Sequence, residues 1–157
     1  MTYRLRLATA DDANLFADKL READKEEIRA ASGWSSVDAL SYGIAKSNVT
    51  FVAETEDGEP ICIFGVSEHP LQKGWGIPWM VGTDLIQDYF VAFLRDGKQT
   101  LLPLITTLYP NLVNLVDSRN TVHIRWLRLM GFEIDTRPMI MTDPNVPFYT
   151  LSYRMEV

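Results

Sequence analysis

The run Ile61-Cys-Ile-Phe-Gly-Val-Ser67 is almost wholly apolar and follows the turn Glu56-Asp-Gly-Glu-Pro60. A strand-length run without alternation belongs in the middle of a sheet, with both faces covered. Covering both faces takes helices on both sides, so this segment alone points to an α/β protein. Asp57-Gly58 supplies tight-turn chemistry. The run is then the second arm of a hairpin whose first arm is 48–55, with Val49, Phe51 and Ala53 on one side.

The remaining periodicities fit that scheme. Residues 3–7 alternate as a half-buried strand. Thr9, with Asp12 three residues on, opens a helix whose apolar stripe is Ala13, Phe16, Ala17 and Leu20. Asp24 and Glu27 cap a second helix that stops near Gly33, and Ser36 starts a third around Val37, Leu40 and Ile44. Residues 68–76 read as a loop and 77–82 as a short strand. Helical spacing follows from Leu85 to Gly97 and from Leu101 to Leu108, with Pro103 tolerable only in a first turn. A strand at 111–116, a helix at 120–130 stopped by Gly131, and strands at 132–136 and 148–155 complete the chain. The expectation is one domain, residues 1–157, with a mixed central sheet of about seven strands flanked by helices.

Composition narrows the function classes. Acidic residues outnumber basic ones 21 to 15, for a net charge of −6, so no strong nucleic-acid signal is present. No apolar run approaches a membrane span. Residues 1–10 do not read as a signal peptide. The single cysteine, Cys62, lies in the apolar run and reads as a buried inert thiol; no metal site is expected.

Two stretches carry a resemblance. Arg6-x-Ala-Thr-x-x-Asp12 at the first strand's end, the element order, and Asn120-Thr-Val-His-Ile-Arg-Trp-Leu-Arg-Leu-Met-Gly-Phe132 together resemble the GNAT (N-acetyltransferase) fold. Pro78-Trp-Met-Val-Gly-Thr-Asp84, taken with residues 120–127 and Gly131, is similar to the internal virion protein A family of short-tailed phages. That likeness implies a GNAT scaffold in a virion or host cytoplasm, working through contacts with phage or host proteins in particle assembly or genome ejection, with no cofactor. The alternative is an acetyl-CoA-dependent N-acetyltransferase of a protein or small amine. The GNAT resemblance would then put the cofactor's pantetheine arm on the strand backbone at Met80 and Val81 and on Asn120.

The sequence departs from the acetyltransferase pattern twice. A diphosphate is usually held by a glycine-rich turn opening a helix, but here Thr83-Asp84 follows the strand, and an aspartate repels an anion. The position of the tyrosine that protonates the leaving thiolate in many GNAT enzymes is Leu127.

Candidate residues have plain readings as well. Asn120 serves as a helix cap or as a pantetheine ligand. His123 is a structural histidine bonded to nearby backbone, or a catalytic base. It lies at the edge of a core face made by Val122, Trp126, Leu129 and Met130, with Thr121, Arg125 and Arg128 opposite as a solvated or docking surface. His69 is a solvated loop residue. Trp75, between Gly74 and Gly76, is a core or loop-anchoring aromatic, or a contact residue on a flexible loop. Glu22, Asp24, Glu26 and Glu27 form a solvated helix face, or a site for a cationic acceptor.

Overall fold

The computed structural model describes residues 2–155, so the two ends of the expected 1–157 domain lie outside the described residues. Seven strands make one sheet in the order β1-β2-β3-β4-β5-β7-β6. They are β1 (Tyr3–Leu7), β2 (Val49–Thr55), β3 (Pro60–Glu68), β4 (Trp75–Gly82), β5 (Asn111–Asp117), β6 (Glu133–Ile140) and β7 (Pro147–Arg154). Every neighbouring pair is antiparallel except β4 and β5. The helices are α1 (Asp12–Ala17), α2 (Glu22–Ser32), α3 (Ser36–Lys46), α4 (Phe90–Asp96), α5 (Leu102–Leu108) and α6 (Thr121–Met130). This is the order the periodicities predict.

β3 is an interior strand, third in the order, and its alternate residues feed two cores. Ile63, level with Val52 and Val81, packs under α1 and α3. Phe64, level with Phe51 and Met80, packs under the helical segment after β4. Cys62 is free and fully buried, and burial pushes its thiol pKa well up, so it is inert as expected.

The Arg6–Asp12 motif is a clasp. The Arg6 guanidinium forks onto the Asp12 carboxylate at 2.9 and 2.7 Å, and that carboxylate also accepts the Thr9 N–H at 2.7 Å. The end of β1 is thereby pinned to the start of α1. α2 and α6 stop where expected, at Gly33 (φ 73°) and Gly131 (φ 105°), both left-handed. The β6–β7 connection is tied onto α2: Thr142 Oγ1 donates to Ala31 O and Asp143 N–H donates to Ala30 O, each at 2.9 Å.

Between β4 and β5 the chain is helical throughout, but in four pieces. A 3₁₀ turn (Asp84–Tyr89) leads into α4, a π turn (Gly97–Leu101) follows, and then α5. Pro103, in the first turn of α5, has no N–H to give the preceding turn, so the α ladder cannot run through. The Leu102 N–H reaches back five residues to Gly97 O instead. Trp75 differs from its expected loop position. It begins β4, paired with Asn111, and the Arg154 guanidinium lies 5.4 Å from its ring centroid.

The candidate active-site cleft

β4 and β5 pair only at Trp75–Asn111 and Gly76–Leu112, then part. Pro78 explains the parting. Hydrogen-bond direction alternates along β4, and Gly82 turns its N–H and C=O away from β3, toward Asp24 and Arg21. Counting back in twos, Met80, Pro78 and Gly76 also face the β5 side. Pro78 brings no donor to that edge, so the parallel ladder fails there. Its carbonyl is satisfied by Asn114 Nδ2 across the gap at 2.7 Å.

Beyond Pro78, Met80 holds its N–H and C=O toward the open side. Val81, by the same alternation, turns its own toward Ile63 of β3. Of these two expected ligand positions, Met80 is therefore the one with a free backbone edge. The gap opens into a cavity of about 790 Å³ that extends to both faces of the sheet. Its walls are mainly apolar (Leu40, Trp79, Met80, Leu102, Leu127, Phe148), and Glu27, Asn114, His123, Lys46, Asn48 and Glu68 are among the polar interruptions. Trp79 is fixed by donating Nε1–H to Ser47 Oγ at 2.8 Å.

At the Gly82 end of the gap stands a buried polar cluster. Arg21 grips the Asp24 carboxylate with two donors, Nε at 3.2 Å and an Nη at 3.0 Å. The same carboxylate accepts the Gly82 N–H at 2.9 Å and Asn120 Nδ2 at 3.2 Å, and Arg21 also donates to Asn120 Oδ1 at 3.0 Å. Asp24 is 1% exposed, Asn120 3% and Arg21 8%. Two expectations change here. Asn120 occupies the N-cap position of α6 but makes no capping bond, because its amide is consumed by Arg21 and Asp24. The acidic face of α2 is not uniformly solvated, because Asp24 turns fully inward.

Glu27, one turn on, also faces the interior. Its carboxylate accepts the Asp117 N–H at 2.9 Å. Burial pushes its pKa up to about 7 against that bond, with the charges of Asp24 and Asp117 adding to the rise. Asp117, 1% exposed, is held by Arg119 at 2.7 Å.

His123 lies in the cavity wall, edge-on to Trp126 at 6.1 Å between ring centroids. Among the described residues it makes no hydrogen bond to nearby backbone, unlike the structural reading. Burial pushes its pKa down to about 4; Asp24 opposes that shift and Arg21 adds to it. Its ring is thus neutral at pH 7. The face of α6 is rotated from expectation: Ile124, Leu127 and Met130 are buried, whereas Val122 and Leu129 are exposed beside Thr121, Arg125 and Arg128. His69 organises its loop, accepting the Leu71 and Gln72 N–H groups on Nδ1 at 3.1 and 3.0 Å.

The two shifted groups drive stability in opposite directions. His123 titrates near 6.5 when unfolded and about 4 when folded, so the stability it contributes is present above pH 6.5 and is lost as pH falls toward 4. Glu27 titrates near 4.5 unfolded and about 7 folded, so its contribution is present below pH 4.5 and is lost as pH rises through 7. Each swing is on the order of 3 kcal/mol. Between pH 4.5 and 6.5 they oppose. Melting curves of the wild type are expected to be nearly flat there, those of Glu27→Gln to rise with pH, and those of His123→Asn to fall.

An acetyl-CoA diphosphate does not fit the turn after β4. The Gly82 amide is held by Asp24, the Thr83 amide by Ile61 O, the Leu85 amide by Thr83 Oγ1 and the Ile86 amide by Thr83 O. Asp84 and Asp88 add carboxylates to the same turn. No metal-holding cluster of His, Cys, Asp or Glu is found among the described residues.

No protein-family model and no curated protein sequence matches the chain. Solved structures do. An N-acetyltransferase from Staphylococcus aureus Mu50 superposes with a TM-score of 0.65 at 14% identity, covering 99% of this chain and 100% of that one. A GNAT-family acetyltransferase from Streptococcus pneumoniae gives 0.62 at 16%, covering 99% and 100%. A GNAT-superfamily phosphinothricin acetyltransferase from Sinorhizobium meliloti, in complex with acetyl-CoA, gives 0.65 at 15%, covering 99% and 89%. The chain has the GNAT fold.

Proposed function

Taking that fold as premise, we propose that the chain is an N-acyltransferase that moves an acyl group from a thioester to an amine inside the β4/β5 cleft. The observation that carries this reading is the meeting, in one mainly apolar cavity, of a free strand edge at Met80 with Glu27, whose pKa of about 7 suits a general base. A thioester supplies an acyl carbon already activated toward amines. The chain's share is to hold and deprotonate. The Met80 N–H is a fixed donor for an acyl carbonyl oxygen in a mainly apolar site. Glu27, on the α2 side, takes the amine proton. Neutral His123 offers the amine a second hydrogen-bond acceptor from α6. Leu127 gives no proton to the departing sulfur, so that proton comes from solvent.

The test is thiol release from acyl thioesters, short ones and acetyl-CoA, across a panel of primary amines. Turnover with a rate that climbs through pH 7 is expected. No release above the uncatalysed rate with any pairing would overturn the reading.

A second reading is favoured by the closed turn after Gly82 and by Leu127. In it the chain is a non-catalytic GNAT scaffold that works through contacts with phage or host proteins in particle assembly or genome ejection, as the residue 120–127 likeness implies. Mass spectrometry of purified particles would test it, and the protein's absence from particles would count against residence there.

A further inference from the structure

The cluster at the Gly82 end of the cleft does something an ordinary buried ion pair does not. It spans the two sides of the gap. Arg21 and Asp24 come from the start of α2, Gly82 ends β4, and Asn120 opens α6 just past the end of β5. The Gly82 N–H is the next amide after Met80 on the open edge of β4, and it is already bound to an anion, the Asp24 carboxylate at 2.9 Å. The Gly82 C=O is taken as well, by the Arg21 N–H at 2.8 Å. A guest lying along this edge from Met80 therefore meets a filled position after two residues, ~7 Å on.

We infer that Asp24 is a built-in stopper of the cleft, one that sets donor size: it admits acyl thioesters that end short of Gly82 and keeps out long anionic ones of the coenzyme A kind. The inference rests on the acyltransferase reading for its ligand class but on separate residues for its geometry. Two effects act together. The carboxylate blocks the backbone pairing that an extended amide arm would make at Gly82. Asp24 itself is neutralised by Arg21, but Asp84 and Asp88 in the following turn repel a diphosphate. The cavity on the Met80 side of the stopper stays large enough for a short thioester and an amine, at about 790 Å³.

The test is calorimetric titration of coenzyme A and of S-acetyl-N-acetylcysteamine, a thioester only a few atoms long, into two proteins. One is the wild type. The other carries Arg21→Met and Asp24→Ala together, so that neither charge is left buried without its partner. Wild type is expected to bind the short thioester at least tenfold more tightly than coenzyme A. The paired variant is expected to gain at least tenfold for coenzyme A and to change less than threefold for the short thioester. Micromolar binding of coenzyme A to wild type overturns the stopper, as does a folded variant that gains nothing. Should the variant fail to fold, the wild-type Gly82 amide resonance decides: it stays in place under millimolar coenzyme A if Asp24 holds its position, and its movement overturns the inference. If the short thioester fails to bind wild type while the variant still gains coenzyme A, the stopper stands and the acyltransferase reading falls.

Discussion

Asp24→Ala is expected to destabilise the protein by about 3–5 kcal/mol, the range for removing one partner of a buried charge pair. The loss has three parts. Arg21, 8% exposed, keeps its charge with no counter-ion. The Gly82 N–H loses its acceptor at a position where water has poor access. Asn120 loses one of its two partners, loosening the entry to α6. Urea unfolding with Trp fluorescence would measure it. Replacing Arg21 by Met at the same time is expected to recover only the part due to the orphaned charge, because the Gly82 N–H stays without its acceptor and Asn120 then loses both partners. A paired variant as unstable as Asp24→Ala alone would show that the carboxylate matters through its contacts to Gly82 and Asn120 and not through its charge balance.

Glu27→Gln is expected to cut the acyl-transfer rate by roughly 10²–10⁴-fold, the usual contribution of a positioned general base. Gln fills the same space but takes no proton. Melting temperature at pH 8 is expected to hold or rise, because the wild type must keep this carboxylate ionised there against a folded-state pKa of about 7. A rate loss with no loss of stability, together with disappearance of the rise through pH 7, identifies the base. An unchanged rate removes Glu27 from the chemistry.

Much of the architecture was legible because it rests on local pattern. The unbroken apolar run at Ile61 demanded cover on both faces, and Gly33 and Gly131 marked helix ends through a backbone conformation that favours glycine. The site was less legible, for a physical reason. Asp24 and Glu27 carry charges that a helix surface ordinarily solvates, and what turns them inward is distant in sequence: Gly82 58 residues on, Asn120 96 and Asp117 90. The i, i+3 spacing of Arg21 and Asp24 was the one local hint of a self-neutralising pair. The buried face of α6 is ambiguous from periodicity alone, because apolar side chains occur around much of its circumference. Pro78 was the clearest missed signal. A proline in a strand flanked on both sides removes a ladder bond, and here it marks where β4 leaves β5.

The short junction at Trp75–Asn111 and Gly76–Leu112 has a mechanical consequence. Within the sheet, four strands form one plate and three another, hinged along two residue pairs with Asn114 as a strut. Widening the angle between the plates breaks side-chain ties and leaves each plate's ladder whole. The Asn120 bonds to Arg21 and Asp24 therefore oppose any tilt that would enlarge the cleft beyond its existing cavity.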